Sequence, residues 1–335
     1  MSDASVDVLV IGSGICGLTI AITAARRGLS VRCIGDGGPS ASVENFGQLH
    51  SGAVYAPVLP AVAQACWQHR HRWNDLIGPA RAGGTNGLAL FHTTDAVNRY
   101  RTAWQRLGID VTEVDAHTTA PNRQAAAAFR LPDHSVHLPT LHASLLDLAR
   151  ASDVRTDNGY EVALHRDPST ALVTVGDVTT RARTVVLATG AATPDLLTHA
   201  GIEHTLRTRR IAWARLPHTV PETLTYWLDG DMLAISPDRD CVRVGLPGVA
   251  GRYGTAEAEH ARLCAALARR GIHPGGLDLR WGAVCEPGQA GPSTLVTDLR
   301  DPPPGWTPTA NLMVALPGKW TTAWQCADKV VEAIG

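Results

Sequence analysis

Three short runs in this chain set residue types at spacings that can do chemistry. Gly12, Gly14 and Gly17 form GxGxxG. The first glycine permits a tight turn, the second lets backbone approach a pyrophosphate, and the third lets helix and strand pack closely. His50 stands between Gly47 and Gly52 in "VENFGQLHSGAVYAP", a segment too polar for a core strand. A neutral imidazole can take a proton at neutral pH. Late in the chain, Gly318 in "LPGKWTT" precedes a helix start whose backbone N–H groups can point at an anionic locus, with Lys319 beside it. What the histidine faces depends on what the earlier glycines bind.

The elements that must hold these residues are legible around them. "VDVLVIGSGICGLTIAITAARRGLSVRCIGD" reads as strand, turn, helix and strand, the helix running from about residue 15 to 27 and closing at Gly28. In that setting the glycines predict dinucleotide binding. The acid that usually binds ribose falls eighteen residues after the third glycine, and that position is Gly35. Asp36 follows and can serve with a one-residue shift, or it is a turn aspartate. "TVVLATGAATPDLL" predicts a buried strand ending at Ala188-Thr189-Gly190, behind an apparent hairpin in "ALVTVGDVTTRA". Residues 310–334 read as a strand, a Pro-Gly turn and a helix with Ala327, Val330, Val331 and Ile334 on one face.

A length of 335 residues predicts two domains, or one with an inserted partner. Thirty basic against thirty-one acidic residues leave no field to draw in a polyanion, which argues against nucleic acid. Seven cysteines, odd in number and without a CxxC pair, argue against a disulfide framework or a zinc site and suit the cytoplasm. Residues 6–25 imitate a membrane span, but Asp7 and the three glycines argue against one.

Four pieces, "VIGSGICGLTIA", "FGQLHSGAVYA", "VVLATGA" and "LPGKWTT", give the chain a resemblance to the FAD-dependent D-amino-acid oxidase (DAO) superfamily. "LHSGAVYA" and "GKWTT" look most like its glycerol-3-phosphate and 2-hydroxyglutarate dehydrogenase branch. The resemblance implies an α/β fold, α+β overall. A Rossmann-like FAD-binding domain of the two-dinucleotide-binding-fold type would take residues 1–80, 135–205 and 305–335. An antiparallel-sheet substrate domain, 81–134 and 206–304, is interleaved with it. FAD contacts are then expected from Gly12, Ser13, Gly14, Ile15, Cys16, Gly17, Asp36, Asn45, Gly47, Gln48, His50, Ser51, Val162, Ala188, Thr189, Gly190, Gly318, Lys319, Trp320, Thr321 and Thr322. Gly47 and Gly52 are expected to let backbone pass flat against the flavin rings. Lys319 is expected at the pyrimidine end, where a cation stabilises reduced flavin. His50 is expected to act as base. It is also a candidate for covalent attachment, as is Cys285, although non-covalent FAD is the expectation.

The resemblance further implies dehydrogenation of a small molecule at a carbon bearing OH or NHR. Oxygen or a quinone then takes the electrons. A 2-hydroxy acid, a polyol phosphate or a secondary-metabolism intermediate suits an alcohol reading, and an amino acid suits a glycine or sarcosine oxidase reading. A non-catalytic flavin-binding subunit is the alternative outside enzymology. Relatives often place an arginine before a proline near the flavin, but "RWGAVCEPGQAG" has none there. Arg243, Arg252 and Arg280 are the substitutes, each most simply a surface residue, and Tyr55 and Trp281 are candidate pocket walls. Tyr55 and Arg252 stand with His50 as the candidate catalytic residues. In the substrate half, Val62, Cys66, His69, Trp73 and Ile77 predict one helix, and Leu138, Leu141, Leu145 and Leu148 a second. A third runs from about Thr255 to Arg270, while "RIAWARL", "MLAISP" and "CVRVGL" predict antiparallel strands.

Overall fold

The β-branched run Val6–Ile11 becomes the central strand of a six-stranded sheet. The computed structural model describes residues 5–37, 42, 44–119, 125–159, 162–167, 173–175, 181–217, 223–230, 232–246, 255–288 and 294–335. It divides into two units by packing, one of residues 1–44, 142–209 and 283–335, the other of 45–141 and 210–282.

In the first unit the sheet order is Leu295–Asp298, Leu312–Leu316, Ala182–Leu187, Val6–Ile11, Val31–Gly35 and Arg155–Asn158. Every pairing is parallel except that of Leu295–Asp298 with Leu312–Leu316. The chain leaves Val6–Ile11 for Val31–Gly35 on one side and later returns with Ala182–Leu187 on the other. The C-terminal end of the central strand is therefore a topological switch point, where open α/β sheets form ligand crevices. Helix Ile15–Arg26 packs against the final helix, Ala323–Ile334. On the final helix Ala327, Val330 and Val331 are buried, while Ile334 is only half-buried. Within the predicted hairpin, Val173–Val175 pairs antiparallel with Leu164–Arg166, residues 171–172 and 176–180 lie outside the described residues, and Ala182–Leu187 joins the main sheet.

The second unit is built on an eight-stranded sheet in the order Asp278–Pro287, Leu206–Pro217, Cys241–Gly245, Leu233–Pro237, Thr225–Trp227, Gly87–Phe91, Ala127–Leu131 and Thr112–Val114. The three expected strands are antiparallel neighbours, but Thr225–Trp227 and Gly87–Phe91 run parallel, so the sheet is mixed. Phe91, Tyr100, Trp104 and Phe129 form an edge-to-face aromatic core, which gives one of the nine tryptophans a packing role. Ala53, Val54, Ala56 and Ala63 pack into that same core. Residues 45–80 and 135–141 consequently fall in this unit, and 206–209 and 283–304 in the first, so the packing units are bounded differently from the expected domains.

The single helix expected over residues 62–77 is broken. Pro60–His69 gives way to a 3-10 turn, Arg70–Trp73, and then to Asn74–Ala80. Val62, Cys66, Trp73 and Ile77 are still buried, because the turn keeps one apolar stripe inward, whereas His69 is half-buried. On Leu138–Ala151 the buried stripe ends on Ala149, with Leu148 half-buried. Ala256–Ala268 starts at Thr255, whose hydroxyl accepts the Ala258 N–H, and Gly271 follows in the left-handed region at φ +67°. No helix among the described residues is long and apolar enough to cross a membrane.

Candidate functional site

In the first unit the three glycines each face a steric demand. Gly12 has φ +110°, and a Cβ there would lie 2.5 Å from the Ala188 carbonyl oxygen. A Cβ on Gly17 would lie 1.6 Å from the Gly12 carbonyl oxygen, inside any tolerable contact. The Gly12 N–H donates to Ile34 and the Ala188 N–H to Ile11, so the turn is pinned to both neighbouring strands. Gly14 caps the helix in extended conformation without a side-chain bond. The Ile15 N–H donates instead to the Ser42 hydroxyl at 3.0 Å. That oxygen holds the place a phosphate oxygen takes at a helix N-terminus, so the cradle fits a pyrophosphate.

Gly35 is packed shut: a Cβ there would lie 2.2 Å from Ser13 Oγ and 3.0 Å from Asn158 Oδ1. The Ser13 hydroxyl donates to Asn158 Oδ1, and the Ser13 carbonyl lies 2.8 Å from His142 Nε2. A side chain at position 35 would have to displace the Ser13 hydroxyl, and Asp36 lies one residue on, exposed. Cys16 turns inward against Cys326, Sγ to Sγ 4.0 Å. The Cys326 thiol beside it and burial hold the Cys16 thiol well above its usual pKa. Val162 packs against the apolar core beneath the sheet. Thr189 Oγ1 lies 3.0 Å from Thr193 Oγ1, and Gly190 has φ +56°.

Gly318 has φ +71°. The Thr322 hydroxyl, buried, bonds the Pro317 and Lys319 carbonyls, which staples the Pro-Gly turn. Thr321 is buried, and Lys319 and Trp320 are half-buried. Burial and then the Glu286 carboxylate push the Cys285 thiol up to about 12.

In the second unit the segment read as too polar for a core is buried: Gln48 and Leu49 pair with Ser135 and His134, and His50 and Ser51 are covered as well. The glycines there each face a backbone carbonyl. A Cβ on Gly47 (φ +69°) would meet the Val136 carbonyl at 2.5 Å, and one on Gly52 (φ +94°) the Ala63 carbonyl at 2.2 Å. Buried Gln48 Nε2 has no hydrogen-bond partner among the described residues, so it offers a donor to a ligand's acceptor. The Asn45 carbonyl accepts from Arg243. Arg243 itself is buried in an ion pair with Asp238, 2.6 Å, beside Trp213, so it is not the surface residue expected. Arg280 is exposed and pairs with Asp278. Arg252 lies outside the described residues. Trp281 is half-buried under Arg210, 4.2 Å from ring centroid to guanidinium.

His50 is the centre of a polar cluster in which Tyr55 is the other sequence candidate, while Tyr226 and Asp133 are not foreseen from the sequence. Its Nε2 lies 3.1 Å from the Tyr55 hydroxyl, and its Nδ1 lies 3.4 Å from the Tyr226 hydroxyl and 3.6 Å from Asp133 Oδ2. The Tyr226 hydroxyl donates to Asp133 Oδ2 at 2.9 Å, and the Ser51 N–H donates to Asp133 Oδ1 at 2.7 Å. Asp133 is fully buried. Burial pushes its carboxyl up, yet His50 and the Ser51 N–H and hydroxyl outweigh that and hold it below the usual range. Asp133 stands 83 residues from His50, in "LPDHS" between two strands, and resembles any turn aspartate. Nothing local in the sequence announces it.

A dinucleotide cradle at the switch point of a parallel sheet, in a chain that also carries a carboxylate-backed histidine, defines a redox enzyme of the dinucleotide-binding class. Over residues 7–218 the chain matches the model of DAO, FAD dependent oxidoreductase, and it belongs to that family. No curated protein matches it in sequence. Among solved structures it is similar to glycine oxidase from Geobacillus kaustophilus, with a TM-score of 0.75 at 20% identity over 98% of this chain and 94% of that one. An unusual amino acid oxidase essential for nikkomycin biosynthesis gives 0.74 at 19% identity, over 98% and 94%. L-alpha-glycerophosphate oxidase from Mycoplasma pneumoniae, solved with FAD bound, gives 0.74 at 16%, over 99% and 95%. The chain is an FAD-dependent oxidoreductase whose fold is that of these oxidases.

Proposed function

We propose that this enzyme dehydrogenates a small molecule at a carbon bearing OH, with His50 taking up the proton that leaves the oxygen. The observation that carries the reading is the buried Asp133 behind His50. An alcohol must shed its O–H proton as hydride departs, and that needs an acceptor. A neutral amine already carries the lone pair that drives the same loss, so it has less need of one. FAD supplies the two-electron acceptor. Gly12, Gly14, Gly17 and Ile15 are proposed to hold its pyrophosphate in the place now taken by the Ser42 hydroxyl, Asp36 its ribose, and Gln48 a ring carbonyl. Ser13, Cys16, Val162, Ala188, Thr189, Gly190, Gly318, Lys319, Trp320, Thr321 and Thr322 are proposed to line it through backbone or packing, and Asn45, Gly47 and Ser51 to shape the segment that carries Gln48 and His50.

The substrate classes are a 2-hydroxy acid, a polyol phosphate or a secondary-metabolism intermediate, with oxygen or a quinone as final acceptor. An odd number of cysteines without paired spacing supports a cytoplasmic location. Glycine oxidase and the nikkomycin enzyme, named for amino acid substrates, keep the amine reading as the competing outcome. Anaerobic mixing with hydroxy acids, polyol phosphates and amino acids decides between them. Bleaching of the flavin's visible band by a hydroxy compound supports the proposal. Bleaching by amino acids alone replaces it with amine oxidation, and no bleaching by any member of the panel counts against catalysis.

The flavin is proposed to be non-covalent. A thiol with its pKa near 12 stays protonated at neutral pH and is a poor nucleophile, and both ring nitrogens of His50 have protein partners. Acid precipitation should release the yellow colour into the supernatant. Colour retained in the pellet would show a covalent bond.

A further inference from the structure

Among the described residues, the groups facing His50 Nδ1 point to which of its nitrogens accepts. Tyr226 has one hydroxyl proton and gives it to Asp133 Oδ2 at 2.9 Å, so the side of its oxygen that faces His50 Nδ1 at 3.4 Å holds lone pairs. Asp133 Oδ2, 3.6 Å from the same nitrogen, is a carboxylate oxygen and also only accepts. Two acceptors facing Nδ1 require the proton to be on Nδ1. Nε2 then carries the lone pair, and the Tyr55 hydroxyl, 3.1 Å away, is placed to donate into it.

Exposure gives the cluster a direction. Asp133, Tyr226 and His50 are all buried, and Tyr55, half-buried against the aromatic core, is the most exposed of the four. We propose that Asp133 is a positioning residue that locks His50 as the Nδ1–H tautomer, and that the Tyr55 hydroxyl is the catalytic group that meets the substrate. This rests on the dehydrogenase reading for its substrate but not for its tautomer. The substrate's O–H proton passes to the Tyr55 oxygen while Tyr55 passes its own proton to His50 Nε2. One proton leaves the substrate, one arrives on the imidazole, and no electrons travel along the relay. The imidazolium so formed faces the Asp133 carboxylate. Among the described residues, Arg70, His134 and Tyr226 are also coupled electrostatically to that carboxylate.

Asp133→Asn gives a sharp test because Ser51 dictates the amide's orientation. The Ser51 N–H needs an acceptor at the Oδ1 position, so the amide carbonyl stays there and the NH2 takes the place of Oδ2. Tyr226 then accepts from that NH2 and turns its own proton toward Nδ1. His50 must switch to the Nε2–H tautomer, and its acceptor facing Tyr55 disappears.

The experiment is 15N NMR of the imidazole nitrogens in the holoenzyme, run on the wild type, Asp133→Asn and Tyr226→Phe, with flavin reduction measured on the same samples. The proposal predicts a protonated Nδ1 and a bare Nε2 in the wild type, and the reverse in Asp133→Asn. Tyr226→Phe should keep the wild-type pattern, since the carboxylate remains. Reduction by a bleaching substrate should fall by about a hundredfold or more both in Asp133→Asn and in Tyr55→Phe. A wild-type His50 protonated on Nε2, or an Asp133→Asn that keeps the wild-type tautomer, overturns the positioning role. A Tyr55→Phe enzyme reduced at the wild-type rate overturns the relay. If the tautomers behave as stated and no panel member bleaches the flavin, the dehydrogenase reading and the relay fall while the positioning role of Asp133 stands.

Discussion

His50→Ala is expected to bind as much FAD as the wild type and to be reduced by substrate about a hundredfold more slowly, or slower still. The two halves of that expectation have separate causes. The residues proposed to hold the pyrophosphate, Gly12 to Gly17, belong to the other packing unit, and Gln48, proposed for a ring carbonyl, keeps its strand pairing with Ser135. Within its own unit, the variant leaves Asp133 bonded to the Ser51 N–H and the Tyr226 hydroxyl, so the buried carboxylate keeps partners and the fold should survive. What disappears is the acceptor facing Tyr55. Stopped-flow reduction under anaerobic conditions, with flavin content measured alongside, separates the two. Loss of flavin with the rate unchanged per bound flavin would make His50 a structural ligand. An undiminished rate at full flavin content would remove it from the mechanism.

Gly17→Ala carries the other large effect: a protein without bound flavin, or no soluble protein. Its new methyl group would sit 1.6 Å from the Gly12 carbonyl oxygen, and that atom belongs to backbone. Gly12 cannot yield, because its N–H is bonded to Ile34 and it abuts Ala188 on the other side. The helix must therefore pull away from the strand and carry the Ile15 N–H with it, out of the phosphate cradle. Gly28→Ala is the matched control. Gly28 has φ +83° with nothing within 4 Å of a Cβ. Backbone strain of about 1 kcal/mol should lower its Tm modestly and leave flavin content intact. Equal flavin content in all three proteins would show that the glycine turn does not hold the cofactor.

The cofactor half of the fold was legible because its chemistry is local. Strand, glycine turn and helix are contiguous from Val6 to Arg26, and the close approaches at Gly12 and Gly17 leave a spacing that can be read directly. The strand ending in Ala188 could be read for the same reason, although the sequence does not show that its carbonyl lies against Gly12. The histidine was visible, but its surroundings were not. Tyr226 and Asp133 reach it from strand and loop far away in the chain, and neither sits in a pattern that separates it from ordinary packing residues. Gly47 and Gly52 stand out in the sequence, but only the fold shows that the carbonyls of Val136 and Ala63 leave no room for a Cβ at either position. Arg243 shows the same limit. Its charge suggested a surface or a substrate contact, and only the fold shows Asp238 waiting beside it.

The most direct test of the central claim is to identify and count the flavin released by heat or acid from protein purified without added cofactor, followed by reconstitution with FAD. The account predicts FAD, close to equimolar with the chain after reconstitution. A colourless protein that takes up no FAD, or one that holds FMN in its place, would contradict the dinucleotide cradle and every role assigned from it.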